Sequence, residues 1–502
     1  MVLSRDYVNP SFNGAPRFNK PVLSYWIVAA LYHLLGISLT AERIGIALGA
    51  AGIIGATFLI GRALRSTQAG VLAALTVATA PRMVMLSRRI FIDIYLTMFM
   101  SLALAGFVLA ERQPLHRRRY LLLTYACLAL GVLTKGPVAI GLPVLVCGIW
   151  IIARRHWSDL GRLMPATGAL VILVIVLPWY AADFSQHGWT HIQQFFIGEN
   201  LGRYASSMAG DRNRLFYIPV LLGDLLFPWA LVALGPLLQG WKAAAAGEDA
   251  TDASVRRLLW LWVVVIVSFF SFSGTKEDLY ILPVVPALAA LGADALIRFD
   301  FGNRSRGLRA SLAVIGILCV VAGFAVYRVF GSAYLQLAGA DAGALLVAGA
   351  GVAVLAGLAL HRPRAAVITL AGAFVVFNYI FVTRILPSSE RFKPAFWLAQ
   401  TFNARAAPSA TLASYHLMLP SLVYYAERPV EDIDADDRAK AFFAASGNAW
   451  AITSQEDYER LRTIVPSLCV VEQRPRLDLK LGNVFSAAPM PTALIVTNRC
   501  PH

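Results

Sequence analysis

The chain has 502 residues, of which 58% are hydrophobic and 15% are charged, and its mean hydropathy is +0.63. Soluble globular proteins contain about 45–50% apolar and about 25% charged residues, so this composition excludes an ordinary soluble enzyme, a disordered chain and a fibrous one. The apolar residues fall in blocks of about 20, the length that crosses a bilayer, which predicts a polytopic membrane protein. The 44 Lys and Arg against 29 Asp and Glu indicate basic cytoplasmic loops rather than nucleic-acid binding, because no basic stretch of a soluble domain is interleaved with aromatic residues.

Twelve apolar runs bounded by charge, Gly or Pro are predicted to be membrane spans. They occupy residues 41–61, 68–86, 91–110, 120–134, 137–153, 164–182, 215–238, 257–273, 279–297, 309–330, 342–360 and 365–386. An earlier run, 22–37, is rich in aromatic residues. We interpret it as an interfacial or juxtamembrane helix within an outer loop of residues 1–40, with a full span as the alternative.

The composition changes after Pro387, where charged and polar residues become frequent and no run is long enough to span a membrane. Short apolar stretches alternate with helix-like stretches, which predicts a small α/β domain over 387–502, after a membrane domain over 1–386. The predicted strands are 411–414, 449–453, 468–471 and 493–497, and a helix is predicted at 455–461. The acidic residues between 431 and 437 are interpreted as a solvated loop.

The charges of the short loops predict the orientation of the spans. One set of alternate loops carries 18 Lys and Arg and the other set carries 9, so the first set should be cytoplasmic and the tail should lie outside. Both ends of a twelve-span chain would then be outside, and we expect an upstream start and one further N-terminal span. An outer tail meets oxidising conditions, which leaves open whether Cys469 and Cys500 pair or remain two thiols.

Ionisable residues beside apolar helices on the outer side are the candidate functional residues, because charge near membrane depth is costly. They are Lys20, Arg88, Arg89, Asp93, Lys135, Asp183, Glu199, Arg203, Lys276, Glu277 and Asp278. Each has a structural alternative: Lys20 can snorkel at the interface, Lys135 can be part of a simple turn, and Arg89 can pair with Asp93 four residues later.

Taken together, these residues predict a cationic outer cavity with carboxylates beside it. Such a cavity suits an anionic lipid, because Lys and Arg stabilise the charge on a phosphate leaving group as its bond breaks. A carboxylate serves as general base for an acceptor hydroxyl or as a metal ligand. Glycosyl transfer would then pass through an oxocarbenium-like state.

Residues 4–26, SRDYVNPSFNGAPRFNKPVLSYW, resemble the first outer loop of the lipid-phosphate-sugar glycosyltransferases of the GT-C fold. Further motifs follow in the same order, among them RRIFIDIYLT (88–97), LGVLTKGPVAIGLPV (130–144), FFIGENLGRY (195–204) and FSGTKEDLYILPVVPALAAL (272–291). The similarity runs over nearly the whole chain. It is greatest to the bacterial 4-amino-4-deoxy-L-arabinose lipid A transferases and the wider protein-mannosyltransferase-like group.

This resemblance implies an all-α polytopic membrane domain in the bacterial inner membrane, followed by a periplasmic α/β domain, and a polyprenyl-phosphate-linked sugar as donor. It implies that Lys20 and Arg203 hold the donor phosphate and that Asp93 is the catalytic carboxylate. The remaining residues that it implies to line the cavity are Arg89, Lys135, Glu199, Lys276 and Tyr280. Relatives often carry Glu or Asp where this chain has Asn19, so a divalent metal stays an open question.

The acceptor implied by the resemblance is lipid A or a related envelope glycolipid, with protein Ser or Thr as the alternative. An acceptor phosphate is already ionised and would need no general base. Two other classes remain as alternatives. A transporter or flippase would typically show inverted repeats, and none is evident in the sequence. An inactive scaffold is the other, because Met1 falls after an acidic motif that relatives carry.

Overall fold

The computed structural model describes residues 1–17, 19–154, 159–205, 212–240, 250–331, 335–477 and 490–500. The chain folds into two compact units. The first comprises Met1–Pro10, Pro16–Ala322 and Leu346–Asn378. The second comprises Ser11–Ala15, Gly323–Leu345 and the chain from Tyr379 onward.

Helices make up most of the described residues as far as residue 405. They are α1 Leu23–Leu35, α2 Leu39–Leu64, α3 Thr67–Thr79, α4 Pro81–Leu86, α5 Ile92–Arg112, α6 Arg117–Lys135, α7 Val138–Arg154, α8 Asp159–Arg162, α9 Pro165–His187, α10 Trp189–Gln193, α11 Arg203–Ala205, α12 Tyr217–Val220, α13 Ala230–Gly240, α14 Ala250–Ser271, α15 Val285–Arg298, α16 Arg306–Val326, α17 Ala340–Ala359, α18 Pro363–Ile380, α19 Leu386–Ser389 and α20 Pro394–Arg405. Short 3₁₀ or π-helical segments lie at Pro114–His116, Gln194–Gly202, Leu221–Leu225, Asp278–Val284, Asp300–Gly302, Tyr327–Gly331, Phe381–Ile385 and Glu390–Phe392.

Eight helical stretches of the described residues are long and apolar enough to cross a membrane. They coincide with eight of the twelve predicted spans. The other four differ for physical reasons: 68–86 breaks at Pro81, which has no N–H to continue a helix, and 215–238 is divided into α12, a π-helical segment and α13. The helix at 120–134 begins with three arginines, and α7 has 17 residues. The 22–37 run forms α1, whose 13 residues are fewer than the roughly 20 of a span.

Hydroxyl caps and small residues fix the positions of α2 and α3. Ser38 and Ser66 precede these helices, and their hydroxyls accept hydrogen bonds from the third backbone N–H that follows, at 3.3 and 3.2 Å; this contact satisfies a donor that the helix leaves unpaired. The two helices then pack closely at Gly61, where a Cβ would lie 2.9 Å from the Ala69 carbonyl oxygen. Only glycine allows this approach of the two backbones.

The second unit contains the predicted α/β domain. It has strands β3 Thr411–Tyr415, β4 Val430–Ile433, β5 Ala449–Ser454, β6 Cys469–Pro475 and β7 Thr492–Thr497, and helices α21 Pro420–Ala426, α22 Asp436–Ala445 and α23 Gln455–Ile464; two short strands, β1 Ser11–Phe12 and β2 Ala15–Pro16, form a hairpin near the N-terminus. The sheet order is β4-β3-β5-β7-β6. Strand β3 is parallel to β4 and β5, and β7 is antiparallel to β5 and β6.

Side chains on the two faces of this sheet alternate along each strand, as the strand period requires. Leu412 and Trp450 pack with α20 and α21 on one face, whereas Ala413 and Ala451 pack with α22 and α23 on the other. The sheet is therefore covered by helices on both faces, which confirms the α/β prediction for this part of the chain.

The acidic segment was wrongly interpreted as a loop. Its first residues form the edge strand β4, in which Val430 and Ile433 are buried while Glu431 and Asp432 are exposed, and Asp436 and the residues after it begin α22. An edge strand needs partners on one side only, so the charged residues within it remain solvated.

The two cysteines of the tail form a disulfide. Cys469 lies at the start of β6 and Cys500 follows β7, with Cα atoms 5.5 Å apart. Because β6 and β7 are neighbouring antiparallel strands, the end of one strand lies beside the start of the other. This pairing was one of the two alternatives that the sequence left open.

Candidate active site

A cavity of about 940 Å³ lies within the first unit. Residues from five separate parts of the chain line it: the segment before α1, the start of α5, the α6–α7 turn, the segment Gln194–Gly202 with the residues that follow it, and Asp278–Val284 with the end of α14. Its ionisable or hydroxyl-bearing lining residues include Lys20, Asp93, Lys135, Glu199, Arg203, Glu277, Asp278 and Tyr280. All eight were candidates from the sequence.

Glu199 brings together the two cations that were predicted to hold a phosphate. Its Oε2 lies 3.1 Å from Lys20 Nζ and 3.0 Å from Arg203 Nε. Arg203 follows Glu199 by one helical turn, whereas Lys20 is 179 residues away in sequence. The side chains of Lys20 and Glu199 are 21% and 18% exposed, so this group is accessible from the cavity but largely shielded from water.

Burial lowers the pKa of Lys20. The neighbouring carboxylate of Glu199 opposes this shift, and the positive charges of Lys135 and Arg203 add to it. Lys20 therefore holds its proton less tightly than an ordinary lysine. A bound anion would favour the charged form, since it would offset the repulsion among the three cations.

Asp93 and Lys135 form a second ion pair beside the first. The pair joins the first turn of α5 to the last residue of α6, and both side chains are about one-sixth exposed. Lys135 Nζ also lies 4.7 Å from the centre of the Tyr280 ring, and Tyr280 is close enough to Arg203 to interact with it electrostatically. Tyr280 thus connects the two ion-paired groups.

The rest of the cavity wall is apolar. Ile92, Leu96 and Met100 recur every four residues on one face of α5, and Val138, Leu142 and Leu145 recur at three or four residues on α7. Residues at this spacing share one face of a helix. Eight residues of α5 rise by about 12 Å, so an apolar groove of at least that length continues from the charged residues.

Backbone contacts fix the segment that carries Glu199 and Arg203. The carbonyl oxygens of Arg203 and Tyr204 accept hydrogen bonds from Thr275 and Gly274 at 2.9 and 2.7 Å. Gly136, in the α6–α7 turn, packs against Phe195 of this segment. It has φ +87°, and a Cβ at that position would overlap the ring of Phe195. The α6–α7 turn that presents Lys135 therefore requires glycine, both for its backbone conformation and for this close contact.

Arg89 and Lys276 were predicted to line the cavity, and neither does. Arg89 is exposed and precedes α5, whose cap Phe91 is extended; Arg89 and Asp93 are therefore not one turn apart on a helix. Lys276 is buried, and its Nζ donates to the Ser273 carbonyl at 2.6 Å. The ammonium group of Lys276 therefore contacts its own loop rather than the cavity.

Sequence reasoning missed Arg82 and Asp224. Arg82 pairs with Asp278, which lines the cavity, and its Nε lies 3.5 Å from Asp224 Oδ2. Both residues fall inside predicted apolar spans, at 68–86 and 215–238. An ionisable residue in such a run is itself a signal of function or pairing, and it would have identified them. Asp183 was a candidate, but it is buried and lies 2.5 Å from His191 Nδ1, away from the cavity lining.

No group of three or more His, Cys, Asp or Glu side chains with the geometry of a metal site occurs among the described residues. The backbone oxygen of Asn19 accepts from Lys20 Nζ at 2.8 Å, and its side-chain oxygen accepts from Arg17 at 3.2 Å. Asn19 therefore contacts the two neighbouring cations.

Comparison with known proteins gives three findings. The model of the dolichyl-phosphate-mannose-protein mannosyltransferase family matches residues 14–195. The undecaprenyl phosphate-alpha-4-amino-4-deoxy-L-arabinose arabinosyl transferase of Edwardsiella ictaluri is 31% identical over 65% of this chain and 58% of its own length. The Pseudomonas aeruginosa enzyme of the same name is 31% identical over 67% of this chain and 59% of its own length. The aligned part of the chain thus spans less than two thirds of these relatives.

The structural comparison covers the entire chain. The crystal structure of ArnT from Cupriavidus metallidurans bound to undecaprenyl phosphate superposes with a TM-score of 0.78, over 100% of this chain and 93% of that chain, at 23% identity. The predicted architecture, a helical membrane domain followed by a small α/β domain, is confirmed. The chain has the fold of ArnT and is similar in sequence to the aminoarabinose arabinosyl transferases, as its motifs indicated.

Proposed function

We propose that this protein is an integral-membrane glycosyltransferase that moves a sugar from a polyprenyl-phosphate donor to lipid A or a related envelope glycolipid. The observation that carries the proposal is the meeting of Lys20 and Arg203 on Glu199, in a cavity whose remaining wall is apolar. A lipid phosphate needs both a cationic site and an apolar groove. The names of the similar proteins suggest undecaprenyl phosphate as the carrier and 4-amino-4-deoxy-L-arabinose as the sugar.

In the proposed reaction, an oxygen of the acceptor forms a bond to the anomeric carbon of the sugar as the bond between that carbon and the phosphate oxygen breaks, and polyprenyl phosphate leaves. Lys20 and Arg203 stabilise the charge that develops on the leaving phosphate, and the sugar passes through an oxocarbenium-like state. The groove between α5 and α7 would hold the first part of the polyprenyl chain. Glu199 keeps the two cations close to each other before the donor binds.

Asp93 is the carboxylate proposed to act at the reacting centre. Its pairing with Lys135 orients it. If the acceptor is a hydroxyl, Asp93 would accept its proton as general base. If the acceptor is a phosphate, the nucleophile is already ionised, and Asp93 would instead stabilise the positive charge on the sugar ring.

We further propose that the membrane is the bacterial inner membrane and that the domain after residue 386 is periplasmic. The excess of Lys and Arg in one set of loops supports this orientation. A disulfide between Cys469 and Cys500 fits an oxidising compartment. The same loop charges predict that the segments carrying Lys20, Asp93 and Arg203 lie outside, so the donor site would then face the outer leaflet.

Protein Ser or Thr is the second candidate acceptor. It is supported by the match of residues 14–195 to the protein-mannosyltransferase family, which includes the segment carrying Lys20, Asp93 and Lys135. Transfer to protein would require a hydroxyl acceptor and therefore a working general base at Asp93.

The proposal is tested with the full chain reconstituted in proteoliposomes. Undecaprenyl-phosphate aminoarabinose and lipid A are supplied together, and lipid A is analysed by mass spectrometry. We expect lipid A to gain one aminoarabinose residue, and a Lys20→Ala, Arg203→Ala double variant to lose this product. A parallel reaction supplies polyprenyl-phosphate mannose and a Ser/Thr-containing peptide. Mannosylated peptide with unmodified lipid A would favour the second acceptor, and no product in either reaction would contradict the proposal.

A further inference from the structure

A second charged pocket lies at the other end of α5 from the candidate active site. It has a volume of about 460 Å³, and its lining includes Arg62, Arg65, Arg112, Tyr120 and Asp252. These residues come from the ends of α2 and α5 and the starts of α6 and α14. Nineteen residues separate Asp93 from Arg112 along one helix, which corresponds to about 28 Å. The two sites are therefore about the thickness of a bilayer core apart.

Three arginines cluster around Asp294 at this end of the bundle. Asp294 is nearly buried, and three arginines contact its carboxylate: Arg65 on one oxygen, and Arg256 and Arg298 on the other at 2.9 and 3.1 Å. Three guanidinium groups thus meet at one carboxylate, each about a quarter exposed or less. Partly buried charges of one sign repel each other unless counter-ions are near.

Arginines also line the pocket itself. Arg112 pairs with Asp252 and donates to the Leu64 carbonyl at 2.9 Å, and Arg62 and Arg65 line the pocket beside it. Arg62 is exposed, and within the described part of the chain it forms no ion pair. Leu59, Ala63 and Leu109 complete an apolar side.

We propose that this pocket binds the phosphate of an anionic phospholipid. Guanidinium groups present forked donors that match phosphate oxygens, and one phosphate would pair with the exposed Arg62, which lines the pocket. The loop charges predict that this end of the bundle is cytoplasmic, and basic pockets between helices on that side are typical of sites for acidic headgroups. The apolar side of the pocket accommodates the start of an acyl chain. The site is independent of the sugar donor, because it shares no lining residue with the donor cavity.

The experiment compares wild type with two variants that each remove one exposed arginine. Arg62→Ala changes the pocket, whereas Arg118→Ala removes the same charge from the start of α6 without touching the pocket lining. The detergent-solubilised full chain is titrated with phosphatidylglycerol, with phosphatidylcholine and with inorganic phosphate. Binding is followed by native mass spectrometry and by the shift in the midpoint of thermal unfolding.

We expect phosphatidylglycerol to bind wild type and Arg118→Ala equally, and to bind Arg62→Ala on the order of tenfold more weakly, as for loss of one charged hydrogen bond. Phosphatidylcholine should not compete. Equal protection by inorganic phosphate alone would identify a free phosphate rather than a lipid as the ligand of the same site. The proposal is overturned if neither anion binds, or if Arg118→Ala weakens binding as much as Arg62→Ala does. None of these readouts depends on sugar transfer.

Discussion

Replacement of Lys20 by alanine should weaken donor binding without disturbing the fold. Lys20 lies before α1, outside the long helices, and its Nζ contacts Glu199 at 3.1 Å. The variant leaves Arg203, 3.0 Å from the same carboxylate oxygen, as the single cation in contact with Glu199 among the described residues. The helices should therefore remain folded while the phosphate site loses one of its two donors.

The expected loss follows from the chemistry of the contact. A hydrogen bond to a charged group contributes about 1.5–3 kcal/mol, and about 1.4 kcal/mol corresponds to a factor of ten. The Lys20 side chain is about one-fifth exposed, so water screens part of the interaction and the lower end of this range applies. Lys20→Ala should bind undecaprenyl phosphate about tenfold more weakly.

The pH dependence of binding gives an independent test. Burial lowers the pKa of Lys20, so the charged form, which binds the phosphate, is lost at a lower pH than for an ordinary lysine. Donor affinity should be full below this lowered pKa and should fall as pH rises through it. Lys20→Arg should remain tight at high pH, because a guanidinium group stays protonated. Measurements above about pH 7.5 keep the phosphate itself fully ionised, since its second pKa is about 6.

The assay is a titration of the solubilised full chain with undecaprenyl phosphate, followed by microscale thermophoresis. Arg17→Ala is the matched control, because Arg17 is an exposed cation of the same segment that does not line the cavity. If Lys20→Ala binds as tightly as wild type, or if Arg17→Ala loses as much affinity, then Lys20 does not hold the phosphate.

Three other predictions follow from the structure. Asp93→Asn should lower kcat by about a hundredfold, the lower limit for loss of a positioned acid–base group, while donor binding and the midpoint of thermal unfolding change little. If the midpoint falls together with the activity, Asp93 serves only to pair with Lys135. Gly136→Ala should destabilise the protein by about 1–3 kcal/mol, because alanine would be strained at the positive φ of this position. The loss should appear as a lower midpoint of thermal unfolding in detergent. Gly148→Ala should not lower the midpoint, because a Cβ at Gly148 would meet open space. Alkaline phosphatase fused after the 387–502 domain should be active in cells, because the proposed orientation places this domain in the periplasm. An inactive fusion would contradict that orientation.

Much of the architecture could be predicted from local sequence. Apolar blocks gave the positions of the long helices, and the alternation of short apolar and helix-like stretches gave most strands of the second unit. These predictions succeed because hydrophobic periodicity depends on neighbouring residues. The strand at Val430–Ile433 was missed for the same reason: an exposed edge strand with two acidic residues has little apolar pattern.

The site was predictable as a set of residues but not as a set of pairs. Charge beside apolar helices identified Lys20, Glu199 and Arg203, and the first two meet across 179 residues of sequence. Local spacing offered Arg89 as one possible partner of Asp93, whereas the tertiary structure pairs Asp93 with Lys135, which is 42 residues away. The start of α5 at Ile92 decided this, because it leaves Arg89 outside the helix.

By itself, then, the sequence determined that the chain is a helical membrane protein with an α/β tail, and it indicated a group of charged residues beside the helices. Only the tertiary structure decided which charges share a site. In it, Lys276 Nζ donates within its own loop, and Arg82 pairs with Asp278. The physical reason is that a charge buried beside a membrane requires a partner within a few ångströms. Helix packing, rather than position along the chain, determines which partner is within that distance.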